Sequence, residues 1–244
     1  MSLVSVIIPS KNEELNIKET VLNIQEEFNA HHFVYEIIVI NDGSHDGTAS
    51  MVSHLSAHDV RIRLVNNNPP YGFGYAIRRG LQESKGDIII IAMADSSDDP
   101  KDMVQYIQKI DDGYDCCFGS RWESGAVVEG YPLFKRVLNR MANGFIRVLF
   151  GISYNDTTNA FKCYSRKAIE GVAPILSRHF NITVELPLKA IVRGYSYAIV
   201  STHWRKRRQG KSSLKLKEMG SRYFFIIIYV LLEKWLCAND YKKQ

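Results

Sequence analysis

Five short apolar runs, each followed by a polar turn and then by apolar residues at helical spacing, constrain this chain more than any other feature. "LVSVIIPS", "YEIIVIND", "RIRLVNN", "DIIIIAMAD" and "YDCCFGSR" are nearly continuous in apolar character, the pattern of strands buried on both faces. Between them, Ile17, Val21, Ile24 and Phe28 make a helical stripe, with Asn12 the expected N-cap. Thr48, Met51, Val52 and Leu55 mark a second helix; Phe73, Ile77 and Leu81 a third; Met103, Ile107 and Ile110 a fourth. Strands alternating with amphipathic helices predict an α/β fold, a mostly parallel central sheet flanked by helices.

Ligands on such sheets bind beyond the carboxyl ends of the strands. Those ends are Pro9–Glu13, Asn41–Thr48, Asn66–Gly74, Ala94–Pro100 and Gly119–Trp122, so one site along one edge is the economical expectation. Beyond them, "PLFKRVLNRMANGFIRVLF" gives a helix with Leu133, Val137, Met141 and Phe145 on one face. Its other face carries Lys135, Arg136, Asn139, Arg140 and Asn143. A polar turn, "SYNDTTNAF", a short strand, a helix from Glu185 to Val192 and the strand "SYAIVSTHW" follow.

At 244 residues the chain has length for one large domain or a domain with a small appendage. The net charge is +5, and seven of the 31 Lys and Arg fall between Arg205 and Lys217. Gly210, Ser212 and Ser213 make that segment an expected flexible loop, able to bring cations to phosphates or to an anionic membrane surface. Nucleic acid is not expected as a partner, because no aromatic-interleaved RNA motif or helix-turn-helix pattern is present. Four cysteines without CxxC spacing suggest neither a zinc site nor a disulfide framework, which fits a reducing, cytoplasmic compartment. The opening residues do not read as a secretory signal. "YFFIIIYVLL", Tyr223 to Leu232, would be about 15 Å long as a helix, against the roughly 20 residues a membrane span needs. It is expected to pack on the core or lie in an interface.

Local motifs are individually ambiguous. "NDGSHDGT" has calcium-loop offsets but Ser53 where a bidentate Glu should stand. "GFGYAI" lacks the third glycine of a dinucleotide fingerprint. In "ADSSDDP", Asp95 reads as a ligand for a divalent cation against a diphosphate, and Asp98 or Asp99 as the start of the next helix.

In order along the chain, "VIIPSKNEELNI", "EIIVINDGSHDGT", "GFGYAIRRGL", "MADSSDDP", "FGSRW", "NRMANGFIRVLFG", "NDTTNAFKCYSR" and "RQGKSSLK" resemble a family-two glycosyltransferase of GT-A fold. The resemblance is to the dolichol-phosphate mannose synthase and polyprenyl-phosphate glycosyltransferase branch, and it runs from about Val4 to Leu214. It implies a catalytic domain over 1–214 and a basic, hydrophobic helical extension over 215–244 that faces a membrane.

The same resemblance implies that Pro9, Ser10, Glu13, Asp42, Gly74, Ala94 and Asp95 bind a nucleotide sugar. Gly74 would let the backbone approach the ligand. Asp95, helped by Asp98, would hold Mg²⁺ or Mn²⁺. Arg121, with Lys135 or Arg136, would meet the acceptor phosphate, and Arg207 and Lys211 would close over the phosphates. Three positions depart from the family: Met93 replaces the first acidic residue of the metal motif, Asn41 an Asp, and Lys11 a frequent Tyr.

The implied reaction is inverting transfer of a hexose from a nucleotide-diphosphate sugar to a polyprenyl phosphate, at the inner, cytoplasmic face of a membrane to which the protein is peripheral. A homodimer is compatible with it. A glycan hydroxyl as acceptor would instead need a carboxylate base, for which Asp156 and Glu185 are the candidates. A catalytically degenerate sugar-nucleotide-binding scaffold is the third reading, raised by Met93.

Overall fold

In the computed structural model, which describes residues 2–207, 209, 216–237 and 240–241, strand β1 (Leu3–Ser10) pairs in parallel with β2 (Val34–Asn41) on one side and β4 (Ile88–Ile91) on the other. β3 (Ile62–Asn66) extends the sheet beyond β2, also in parallel. β7 (Lys162–Ser165) runs antiparallel between β4 and β5 (Cys116–Ser120), and β8 (Tyr197–Ser201) closes the edge parallel to β5. The seven-stranded order is β3-β2-β1-β4-β7-β5-β8. Ser10 pairs with Asn41 and Asn41 with Asn66, so three strands end level and their polar turns lie side by side.

Alternation along the strands feeds two cores. Val6, Ile8, Ile88 and Ile90 face one, with α1 (Ile17–Ala30), α2 (Thr48–His58) and α4 (Pro100–Asp111). Ile7, Ile89 and Ile91 face the other, with α3 (Phe73–Glu83), α6 (Arg166–Gly171) and α7 (Ile182–Val192). Each fully buried isoleucine stabilises the fold by about 1.5–3 kcal/mol. β1, β2, β4 and β5 therefore have almost no solvent face to declare, which is why their runs read as continuous, whereas β3 at the sheet edge is only partly covered.

The helix starts differ in one respect from expectation. Asn12 does not cap α1, which begins five residues later after Asn16. Asn12 sits at φ 56° and its side chain accepts from His45 N at 2.9 Å, joining two strand-end turns instead. Asp99 does cap α4, accepting from Lys101 N at 3.0 Å, with Pro100 as the first helical residue. "SYAIVSTHW" breaks at Thr202 into β8 and β9 (His203–Arg205), and β9 pairs with β6 (Val127–Glu129) in a separate two-stranded sheet.

Helix α5 (Leu133–Phe150) leaves most of its apolar residues uncovered, unlike the usual amphipathic helix. Asn143, Ile146 and Phe150 are its buried residues. Leu133, Phe134, Val137, Leu138, Met141, Phe145 and Val148 are exposed, Met141 at 67% and Val148 at 86%. Helix α8 (Leu216–Leu236) packs Ile226, Ile227, Val230 and Leu231 on α5 and α7, forming a third core. Arg193 and Glu233 pair across that contact at 2.6 Å, both buried. No helix among the described residues is long and apolar enough to cross a membrane.

Candidate active site

The ends of β1, β2 and β4 form one polar edge. Asp42 N donates to Ser10 O at 2.9 Å, and Asp42 Oδ1 accepts from Asn67 Nδ2 at 2.9 Å. Glu13 N donates to Thr48 Oγ1 at 2.9 Å. Ser10 Oγ is buried and has no hydrogen-bond partner among the described residues, an unusual state for a buried hydroxyl. Pro9, Ser10, Glu13 and Asp42 are thus brought together as the sequence led one to expect.

The basic segment reaches this edge. Arg207 Nη1 lies 3.1 Å from Glu13 Oε1 and Arg207 Nη2 2.5 Å from Asp95 Oδ2, so one guanidinium bridges the ends of β1 and β4. Burial raises the Glu13 carboxyl above its ordinary value, against the lowering effect of Asn16 and Arg207. The start of the segment is fastened to the acidic loop: Arg205 N donates to Ser97 O at 2.9 Å, and Asp98 bridges to Trp204. Asp102, fully buried, takes His203 N at 2.7 Å and lies 2.9 Å from His203 Nδ1. Lys211 lies outside the described residues.

Asp98 lines the same cleft as Asp95 but is tied to its own loop. Its Oδ2 accepts from Met93 N at 3.0 Å, closing the loop on itself. Loss of solvent pushes its carboxyl up to about 7, with the nearby Asp95 adding to this and the Met93 bond and Arg121 opposing it.

Across β7, Arg121 at the end of β5 forms the second half of the site. Its Nε and Nη2 each lie 2.8 Å from an oxygen of Asp156, and its backbone N donates to the same carboxylate at 3.0 Å. Burial works against the Arg121 charge, but Asp156 more than offsets it and holds the guanidinium above its ordinary value. Arg121 also faces Tyr131 at 5.3 Å and Trp122 at 5.9 Å. Arg136 and Arg140 from α5 approach the same Trp122 ring at 5.2 and 5.6 Å. Of the two bases between which the sequence left the register open, Lys135 and Arg136, Arg136 is the one whose guanidinium lies over Trp122. Lys162 is buried below, its amine lowered to about 7 by desolvation, with Asp156 working the other way.

Three expected residues have other work. A Cβ on Gly74 would meet Ser177 O and Arg178 C at 2.6 Å, and Gly74 N donates to Arg178 O at 3.1 Å. A close approach that demands glycine here is made by this chain's own backbone. Glu185 is fully buried; it accepts from Leu176 N and Ser177 N at 2.8 and 2.7 Å and pairs with Lys189 at 2.7 Å. A carboxylate so committed reaches no acceptor hydroxyl. Asp156, also sealed, is the partner of Arg121 rather than a base.

Sequence reasoning missed Trp122, Tyr131, Arg140 and the Asp102–His203 pair. Arg140 one turn beyond Arg136, and a tryptophan next to Arg121, were the available signals. An acidic residue between the apolar positions of α4 was the signal for Asp102.

The donor set does not fit a preformed site for a hard cation. Met93 offers a thioether, Asp98 is spent on the loop, and Asp95 is bonded to Arg207. No group of three or more His, Cys, Asp or Glu placed to hold a metal occurs among the described residues.

Several known proteins are similar to this chain. Polyprenol monophosphomannose synthase of Mycolicibacterium smegmatis is 28% identical over 86% of this chain and 80% of its own length. Glycosyltransferase AglD of Haloferax volcanii is 28% identical over 89% of this chain, which spans only 35% of that longer protein. Glucosyl-3-phosphoglycerate synthase of Mycobacterium tuberculosis, solved with Mn²⁺, UDP-glucose and phosphoglyceric acid, superposes with a TM-score of 0.71. That likeness covers 96% of this chain and 79% of the other at 19% identity, and it bears out the GT-A fold. The profile described as Glycosyl transferase family 2 matches residues 5–172, from β1 through the Arg121–Asp156 pair to the end of α6, and the chain belongs to that family.

Proposed function

We propose that this glycosyltransferase moves a hexose from a nucleotide-diphosphate sugar to a polyprenyl phosphate at the cytoplasmic face of a membrane. The observation that carries the reading is the orientation of α5. Its Arg136 and Arg140 lie with Arg121 around Trp122, while its apolar face is exposed. A phosphate on a lipid chain matches both sides of that helix: cations for the headgroup, and apolar surface for the lipid. Residues 1–214 would act as the catalytic unit, with 215–244 extending its membrane-facing side.

In the reaction, an oxygen of the acceptor phosphate forms a bond to the anomeric carbon. The bond from that carbon to the donor diphosphate breaks, and its electron pair leaves on the diphosphate oxygen. A phosphate is already ionised near neutral pH, so no general base is required. This agrees with the sealed state of Asp156 and Glu185 and weighs against a glycan hydroxyl as acceptor. Arg121, fixed by Asp156, would orient the acceptor; Ser10, Glu13 and Asp42 would hold the nucleoside side of the donor. A divalent cation, where one binds, would supply Lewis-acid stabilisation of the leaving diphosphate.

The test is transfer from radiolabelled GDP- and UDP-hexoses to a polyprenyl phosphate, with the matching polyprenol as control. Labelled lipid from the phosphate alone is expected. Transfer only to a glycan hydroxyl would establish the other acceptor class, and binding without any turnover would establish a scaffold.

A further inference from the structure

The donor edge already contains a cation held in place by the protein. This inference rests on the nucleotide-diphosphate donor proposed above. Arg207 spans Glu13 and Asp95, and its bond to Asp95 is short, at 2.5 Å. Asp95 Oδ1 takes Ser97 N at 3.2 Å, so both oxygens of that carboxylate have protein partners. Asp98 Oδ2 accepts from Met93 N, and the Met93 side chain carries sulfur where a hard dication would need oxygen. A Mg²⁺ or Mn²⁺ ion binding here would have to take Asp95 from a charge-assisted hydrogen bond, and the loop's other carboxylates, Asp98 and Asp99, already accept from Met93 N and Lys101 N.

Arginine meets the demand that such an ion would otherwise answer. Its planar fork of N–H donors matches phosphate oxygens, and it stays charged at every working pH. Trp204 and Arg205 lock the preceding residues to the acidic loop through Asp98 and Ser97, so the guanidinium is delivered from an anchored strand.

We propose that the donor diphosphate is bound through Arg207 without an obligatory divalent cation, and that Arg207 stabilises the charge gathering on the diphosphate as it leaves. Arg207 exchanges no proton: the electron pair of the broken bond stays on the diphosphate oxygen, next to a fixed positive charge.

The experiment is calorimetric titration of UDP and of GDP into the full chain, first in EDTA and then with Mn²⁺. Binding of Mn²⁺ itself is followed separately by the EPR signal of the free ion. The expected result is nucleotide binding that EDTA changes by less than about threefold, and loss of at least about tenfold in that EDTA-state affinity in Arg207→Met. Met93→Asp, which adds an outward carboxylate, is expected to create Mn²⁺ binding visible by EPR and to make nucleotide binding metal-sensitive. Nucleotide binding at least about tenfold tighter with Mn²⁺ than in EDTA would overturn the proposal, as would an unchanged EDTA-state affinity in Arg207→Met. These outcomes leave the donor reading standing. Absence of binding for both nucleotides in every condition would bring down the donor reading as well. Should Met93→Asp fail to fold, the wild-type titration decides alone.

Discussion

Asp156 grips Arg121 through three hydrogen bonds, two from the guanidinium and one from the backbone, with its carboxylate wholly out of solvent. Removing the charge from such a pair leaves a buried guanidinium without its counter-ion, a loss of about 3–5 kcal/mol. Asp156→Asn is therefore expected to lower both unfolding stability and kcat/KM, the latter by about 100-fold or more. Arg121→Lys should restore little, because an ammonium cannot reproduce the two-point contact. Urea melts and steady-state kinetics on both variants check this. Near-normal activity in a folded Asp156→Asn protein would remove Arg121 from acceptor binding.

Asp98 gives a pH signature. Its carboxyl is raised to about 7 by burial, so between about pH 4 and 7 the native state keeps a proton that the unfolded chain has released. Stability from this group is present at low pH and falls as pH rises through that window. Asp98→Asn keeps the neutral form at every pH. The stability of wild type relative to Asp98→Asn should thus decline from pH 4 to 7 and level off above, measured by urea unfolding at a series of pH values. A flat difference would mean that the carboxyl is solvated.

The outward face of α5 predicts a separation of stability from membrane binding. Met141→Glu, Phe145→Glu and Val148→Glu each replace an exposed side chain, so stability should change by no more than about 0.5 kcal/mol. Co-sedimentation with vesicles containing anionic lipid should fall, while turnover with a short, water-soluble prenyl phosphate should persist. Unchanged sedimentation in the triple variant would show that α5 does not meet the lipid surface.

Gly74 distinguishes two reasons for a glycine. Because an added Cβ would strike the backbone at Ser177 and Arg178, Gly74→Ala should destabilise the ligand-free protein by about 1–3 kcal/mol. Thermal unfolding without any nucleotide is the measurement. If glycine were there for ligand approach alone, only donor affinity would change.

The strands were legible because their apolar runs have a core on each side, as Ile88–Ile91 shows by sending alternate residues to each. The strand-end residues of the polar edge followed from topology once the strands were known. The sidedness of α5 was not legible, since Leu133, Val137, Met141 and Phe145 have the spacing of a core stripe whether they meet protein or lipid. Nor could sequence tell that Glu185 is sealed against Lys189, because a buried ion pair at helical spacing looks like an exposed one. β6 and β9, at three residues each, are too short for periodicity to register. Gly74 was visible as a constraint, but the body pressing on it comes from a loop about a hundred residues away.

The pairing of Arg193 with Glu233 settles how the last helix can be treated as a piece of chain. Arg193 also donates to Gly171 O and Ala173 O, and Lys234 donates to Phe150 O. α8 is therefore wired to α5, α7 and the turn after α6, and Ile146, Phe150, Val184 and Leu188 lie against it. A chain shortened to end at residue 214 would bare that apolar surface and strand a buried arginine. The extension and the sheet should melt as one cooperative unit, so the C-terminal helix can be altered on its outer side but not detached.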